Sequence, residues 1–193
     1  IIISIVTNTG IKKQFTAADK DDKPVIQGFV DFVKRFDPDV IVGYNSNRFD
    51  WLYLMERCRH LGLKLSVGRS GAEPHASVYG HISVDGRANV DLYDFAEDIA
   101  EVKVKTLENV AEFLGVARKE ERTIIDKIEI ARYWDDESLR GELLKYAMED
   151  AECTLGIADK MLPFAIQLAS IVGLPLDQVG AAAVGFRVEW YLI

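Results

Sequence analysis

Val40-Ile41-Val42-Gly43-Tyr44-Asn45-Ser46-Asn47-Arg48-Phe49-Asp50 is the stretch on which the fold reading turns. Its first five residues are a short continuous apolar run, the pattern of a strand buried on both faces. A polar loop, Asn45 to Arg48, follows, and a helix from about Phe49 to His60 is expected to end at Gly62. Strand, polar loop and helix in that order place the loop at the carboxyl end of a strand. Open α/β sheets gather their functional groups there. Asp50 falls in the first turn of the helix. Taken alone, Asp50 or Asn47 reads more readily as a cap or charge complement of the helix N-terminus.

Upstream, Ile1–Thr7 and Ile11–Phe15 form an expected hairpin closed at Asn8-Thr9-Gly10. Ile26, Phe29, Val30, Val33 and Phe36 recur at helical spacing, and Asp37-Pro38-Asp39 ends that helix. Downstream, residues 67–74 are rich in Gly and Ser. Val78–Val84 and Ala88–Tyr93 are expected as two strands joined at Asp85-Gly86. Leu107, Val110, Ala111 and Leu114 mark a short helix ending at Gly115, and Leu139 to about Val172 is a long helical segment in which Pro163 imposes a kink or a break. Leu174–Ile193 is a weaker helical pattern. Strands come early and helices late in an α/β fold.

The chain has 193 residues, enough for one domain, and its 31 acidic against 23 basic residues give a net charge of −8. That balance argues against coating a phosphate backbone by counterion release. It leaves room for carboxylates that hold a divalent cation against phosphate. There is no run of 18 apolar residues, and hence no expected bilayer-spanning segment. Cys58 and Cys153 lie in no disulfide or zinc spacing and read as core fillers in a reducing, cytoplasmic setting. His60, His75 and His81 are scattered and read as polar surface or hairpin residues. The acidic run Asp94, Glu97, Asp98, Glu101 reads as a solvated face, and Trp51 as core with nucleic-acid contact the alternative.

In the long helix, Tyr146 and Asp150 are four residues apart and share a face. A phenol beside a carboxylate can orient a water that a bound metal activates, although an ordinary surface pair has the same spacing. In Asp150-Ala151-Glu152 the two acids point in different directions and make no clamp.

Asn45 through Phe49-Asp50 resembles the second exonuclease motif of family B DNA polymerases, N-x-x-x-F-D. Tyr146 to Asp150 resembles the third, Y-x-x-x-D. Gly86-Arg87-Ala88-Asn89-Val90-Asp91-Leu92 is similar to the G-R-x-x-x-D-L stretch between them, and Thr106–Ala111 to the helix that follows. The resemblance covers essentially the whole chain and is strongest to archaeal members. It implies a ribonuclease-H-like 3′→5′ exonuclease fold with a mixed central sheet, helices on both sides and an inserted β-hairpin. It divides the chain into an exonuclease domain, residues 1–172, and a connector towards the polymerase palm, residues 173–193. The implied activity is proofreading, two-metal hydrolysis of the 3′-terminal nucleotide. Asp50 and Asp150 would be the Mg²⁺ or Mn²⁺ carboxylates, Tyr146 the water-orienting group, and Asn45 and Phe49 the contacts to a single-stranded DNA end. Asp91 reads as structural.

The family's first motif, D-x-E, is absent from these 193 residues, as are palm, fingers and thumb sequences. At position 47 Asn stands where many relatives carry Asp, which reads as a minor change. The expectations are therefore a piece of a longer polymerase, little or no nuclease activity on its own, and a gap between the Ile1–Thr7 and Val40–Tyr44 strands. That gap would be closed by a homodimer through the open edges, by collapse of the two strands on each other, or by a shifted segment of the chain. A non-catalytic exonuclease-like structural module of a polymerase is the alternative. An unrelated nucleotide-binding domain is disfavoured, because no Gly-rich phosphate loop follows any strand.

Overall fold

A computed structural model describes all residues except 18–20, 119–122 and 127. The chain opens with β1 (Ile2–Val6) and β2 (Lys12–Thr16), an antiparallel pair with Ile2 opposite Thr16 and Val6 opposite Lys12. The turn is tied by the Gly10 N–H donating to the Thr7 carbonyl at 3.0 Å, with Gly10 at φ 86°. Helix α1 (Lys23–Phe36) starts with Pro in its first turn, where the missing N–H costs nothing, and ends at Asp37 in the left-handed region.

Strand β3 (Val40–Gly43) leads into α2 (Asp50–Leu61), which stops at Gly62, φ 66°, as its sequence predicts. The inserted hairpin is β4 (His75–Ala76) paired with β5 (Ile82–Ser83). Strand β6 (Ala88–Asp91) then runs parallel to β3, with Val40 beside Ala88 and Gly43 beside Asp91. This corrects the hairpin expected at Asp85-Gly86: only a single bridge joins Val84 to Arg87. Residues 88–91 go to β3 because Val90 there enters the core, and Tyr93 already belongs to a helix.

Among the described residues, the short α3 (Leu92–Ala96) is followed by α4 (Leu107–Phe113), α5 (Ile130–Asp135), α6 (Glu137–Val172), α7 (Leu176–Ala181) and α8 (Val184–Leu192). Helix α6 runs through Pro163 without a break. Pro163 lacks only one intrahelical donor, and the buried Met161 and Ala165 on either side anchor the helix in the core. By length and composition α6 could cross a membrane, a possibility the count of consecutive apolar residues does not register. In this fold it packs against β1, β3 and helices α3, α4, α5, α7 and α8.

The β3–β6 pair lies between two apolar layers. Val40, Val42 and Val90 face a core built from α3, α4, α6 and α7, while Ile41 faces a second core of α1, α2 and the hairpin. That alternation is what the uninterrupted apolar run requires. Cys58 and Cys153 are buried core fillers and His60 is exposed, as expected. His81 lies in the β4–β5 hairpin, one of its two expected places, but is buried there: it is 1% exposed, with Nε2 3.6 Å from the Asp177 carboxylate. Strands β1 and β3 do not pair with each other, so among the described residues the expected gap is neither collapsed nor filled by a shifted segment.

Candidate functional site

The candidate site is built where β3 and β6 end side by side. After Gly43 the chain turns sharply. A side chain at position 43 would meet the Ser46 Oγ at 2.4 Å, so the turn needs glycine there. Asn45 sits at φ 60°, a left-handed conformation that Asn tolerates better than most residues. The turn is held from the neighbouring strand by Asp91, whose carboxylate accepts the backbone N–H groups of Asn45 at 2.7 Å and Asn47 at 2.9 Å. The same carboxylate accepts the Tyr93 N–H at 3.0 Å, capping α3. Burial pushes the Asp91 pKa up, and the three amide donors oppose that rise.

Asn47 is not a cap of α2. It is 7% exposed, and its Oδ1 accepts from the Ile82 N–H at 3.2 Å and the Asn89 Nδ2 at 3.0 Å. Asn89, fully buried, also donates to the Ile82 carbonyl at 2.8 Å and accepts from the Trp51 indole N–H at 2.9 Å. Loop, hairpin, β6 and the first turn of α2 are thereby joined by one buried polar network. The sequence gives little signal for it beyond two asparagines and a Trp in apolar company. The change at position 47, read as minor, falls at its centre. Trp51 is core, 4% exposed.

Asp50 is the first residue of α2, preceded by Phe49 at the N-cap. Asp50 is exposed to solvent. Desolvation, with a smaller push from the Asp91 charge, raises its pKa to about 6, against a lowering from its own backbone N–H. Phe49 is 63% exposed and stacks on Tyr53 at 6.2 Å with planes 13° apart. The acid therefore stands beside a solvent-facing aromatic pair. Arg48 turns away from it, 3.2 Å from Asp94 and 3.3 Å from Glu97, with its guanidinium 4.9 Å from the Tyr93 ring centre.

Asp94 corrects the reading of the acidic run as a solvated face, which the exposed Glu97, Asp98 and Glu101 fit. The Asp94 side chain is only 10% exposed, and desolvation together with Asp91 raises its pKa to about 6 despite Arg48. Asp98 binds Arg187 of α8 at 2.8 Å.

Tyr146 and Asp150 lie half-buried on α6, which packs against β1 and against β3, the strand that leads into the Asn45–Asp50 segment. The Asp150 carbonyl accepts the Thr154 hydroxyl at 2.8 Å. Glu152 points elsewhere, to Lys12 of β2 at 2.5 Å, as the helical period requires. Asp50 and Asp150 offer the oxygen ligands that hard cations prefer. Among the described residues, however, no three of His, Cys, Asp and Glu come together as a metal-binding group. These residues do not by themselves complete a two-ion site.

Residues 11–110 match the family model described as DNA polymerase family B, exonuclease domain. This chain belongs to that family. It is 56% identical over its whole length to DNA polymerase 2 of Aeropyrum pernix and 41% identical to a DNA polymerase of Archaeoglobus fulgidus, in each case aligning with 24% of the relative. A solved structure of the family B DNA polymerase from the hyperthermophilic archaeon Pyrobaculum calidifontis superposes with a TM-score of 0.98 at 55% identity, covering all of this chain and 25% of that one. The chain thus spans about a quarter of the length of these family B relatives. The family model takes in the Asn45–Asp50 loop and Asp91 but ends before α6, the helix of Tyr146 and Asp150.

Proposed function

We propose that this chain works as the 3′→5′ proofreading exonuclease domain of a DNA-directed DNA polymerase, removing the 3′-terminal nucleotide of DNA. The observation that carries the reading is Asp50, set on a rigidly held loop at the carboxyl end of β3 and flanked by the exposed Phe49–Tyr53 stack. A phosphodiester end brought to Asp50 would lay its terminal base or sugar against Phe49. Stacking of this kind tolerates any base, as a proofreader requires.

In this reading the architecture is ribonuclease-H-like, with residues 1–172 as the exonuclease domain and 173–193 as the connector to the polymerase part. The cation is Mg²⁺ or Mn²⁺, and the chain contributes Asp50 and Asp150 to a larger ligand set. A divalent ion pair supplies water activation and leaving-group stabilisation when bound. Tyr146 holds the attacking water, Asn45 and Phe49 position the single-stranded end, and Asp91 and Asn47 keep the loop in place. The partners are a single-stranded 3′ end and the rest of a polymerase chain, in the cytoplasm. A second copy pairing through β1 and β3 is the competing way to satisfy those strand edges. A non-catalytic module is the alternative function.

The test is excision of a 3′-labelled oligonucleotide by the polymerase that carries this domain. Asp50→Ala and Asp150→Ala should each abolish excision and spare polymerisation. Tyr146→Phe should keep a partial rate, about 10²-fold down. A wild-type polymerase with no excision at all would leave the non-catalytic module as the answer.

A further inference from the structure

The geometry points to Asp91 as a positioning residue for exonucleolytic cleavage: its buried carboxylate clamps the loop that carries Asn45, Phe49 and Asp50. This rests on the function proposed above. Asp91 ends β6 directly beside Gly43, the last residue of β3. From there one carboxylate oxygen accepts the N–H groups of both Asn45, at 2.7 Å, and Tyr93, at 3.0 Å, while the other accepts that of Asn47 at 2.9 Å.

A helix cap would need only the Tyr93 contact. The other two donors belong to a segment more than forty residues earlier in the chain. They bracket Ser46 in the sharp turn after Gly43, whose other ties are the Trp51 N–H to the Ser46 carbonyl at 3.0 Å and the bonds to the Asn47 side chain. At 3% exposure, with three of about four acceptor positions occupied, Asp91 has no means of touching DNA or an ion itself. It acts through the loop.

The surroundings explain why the residue is an aspartate. The carboxylate accepts from three donors, so an ionised, acceptor-only group satisfies all of them with charge-assisted bonds. Asparagine of the same shape keeps one oxygen for Asn45 and Tyr93 but turns an NH₂ towards the Asn47 N–H, donor against donor. Serine is a good helix cap for Tyr93 and is too short to reach the loop. Two substitutions therefore separate loop from cap.

The experiment uses the polymerase that carries this domain, with Asp91→Asn, Asp91→Ser and Asp50→Ala. Single-turnover excision is read against oligonucleotide concentration, and amide hydrogen exchange is read by peptide. Partners behind a site's direct ligands typically change activity by about 10–100-fold, so both Asp91 variants should lose about that much in maximal rate, with half-saturating oligonucleotide changed less than about threefold. Exchange should quicken across residues 44–50 and stay slow in β6 and the core of α2. Excision within about threefold of wild type in both variants overturns the proposal. So does a loss accompanied by faster exchange throughout α2, α3 and β6, which is general unfolding. Excision that survives Asp50→Ala instead defeats the underlying function, whatever Asp91 does to loop exchange.

Discussion

Asn89 is the residue whose loss should cost this fold most for its size. Its side chain is fully buried and makes three bonds: to the Trp51 indole N–H at 2.9 Å, the Asn47 Oδ1 at 3.0 Å and the Ile82 carbonyl at 2.8 Å. In Asn89→Ala the Trp51 donor has no acceptor, a loss of about 1–3 kcal/mol, and the Ile82 carbonyl adds a comparable or smaller amount. Asn47 Oδ1 keeps its bond from the Ile82 N–H, so it adds little. The sum is about 3 kcal/mol, a large share of the roughly 5–15 kcal/mol that holds a domain together. With a urea slope of about 2 kcal/mol per molar, the midpoint should fall by about 1.5 M. Trp51→Phe strands only the Asn89 oxygen but adds the cost of the space left by the smaller ring in the core. The double variant should be more stable than the sum of the two losses predicts, by about 0.5–3 kcal/mol. Equilibrium urea unfolding followed by tryptophan fluorescence and circular dichroism measures all three. A loss under about 1 kcal/mol in Asn89→Ala, or strict additivity in the double variant, would refute the account of the network.

The raised pKa of Asp94, about 6 against an ordinary 3.8, carries a stability sign. The folded state binds the proton more tightly, so this group favours folding below about pH 4, and that contribution is lost as pH rises towards 6. Asp94→Asn should therefore flatten the stability profile between pH 4 and 6 and stabilise the protein at neutral pH by at most about 3 kcal/mol. Unchanged pH dependence in denaturation series would contradict it. Phe49→Ala should weaken single-strand binding by about 1–3 kcal/mol, measured by fluorescence anisotropy. An unaltered affinity would take Phe49 out of the DNA contact. The 193-residue chain alone should degrade a single strand poorly with Mg²⁺ or Mn²⁺, since the described residues hold no group of three metal-binding side chains. Vigorous laddering abolished by Asp150→Ala would show that the set is complete after all. Light scattering on the same sample gives its mass, and a monomer would remove the paired-edge homodimer.

Local chemistry was legible in the chain itself. The apolar run of β3, the Gly62 stop of α2, the helical spacing in α1 and the placement of Asp50 at a strand-loop-helix junction all follow from backbone preferences and hydrophobic period. These act over a few residues and need no partner. Motif order was legible too, since Asn45, Phe49, Asp50, Tyr146 and Asp150 are a linear pattern. Tertiary structure alone decided which strand β6 joins, because a turn-like Asp85-Gly86 competes with a distant parallel partner, and burial of Val90 tips the choice. It also decided that α6 passes through Pro163, that His81 is buried, and that Asp94 is half of a partly buried ion pair. Above all it gave Asp91, Asn47, Asn89 and Trp51 their roles. A polar side chain is silent in sequence until burial removes its water, and its partners are then whichever donors and acceptors the fold brings within about 3 Å.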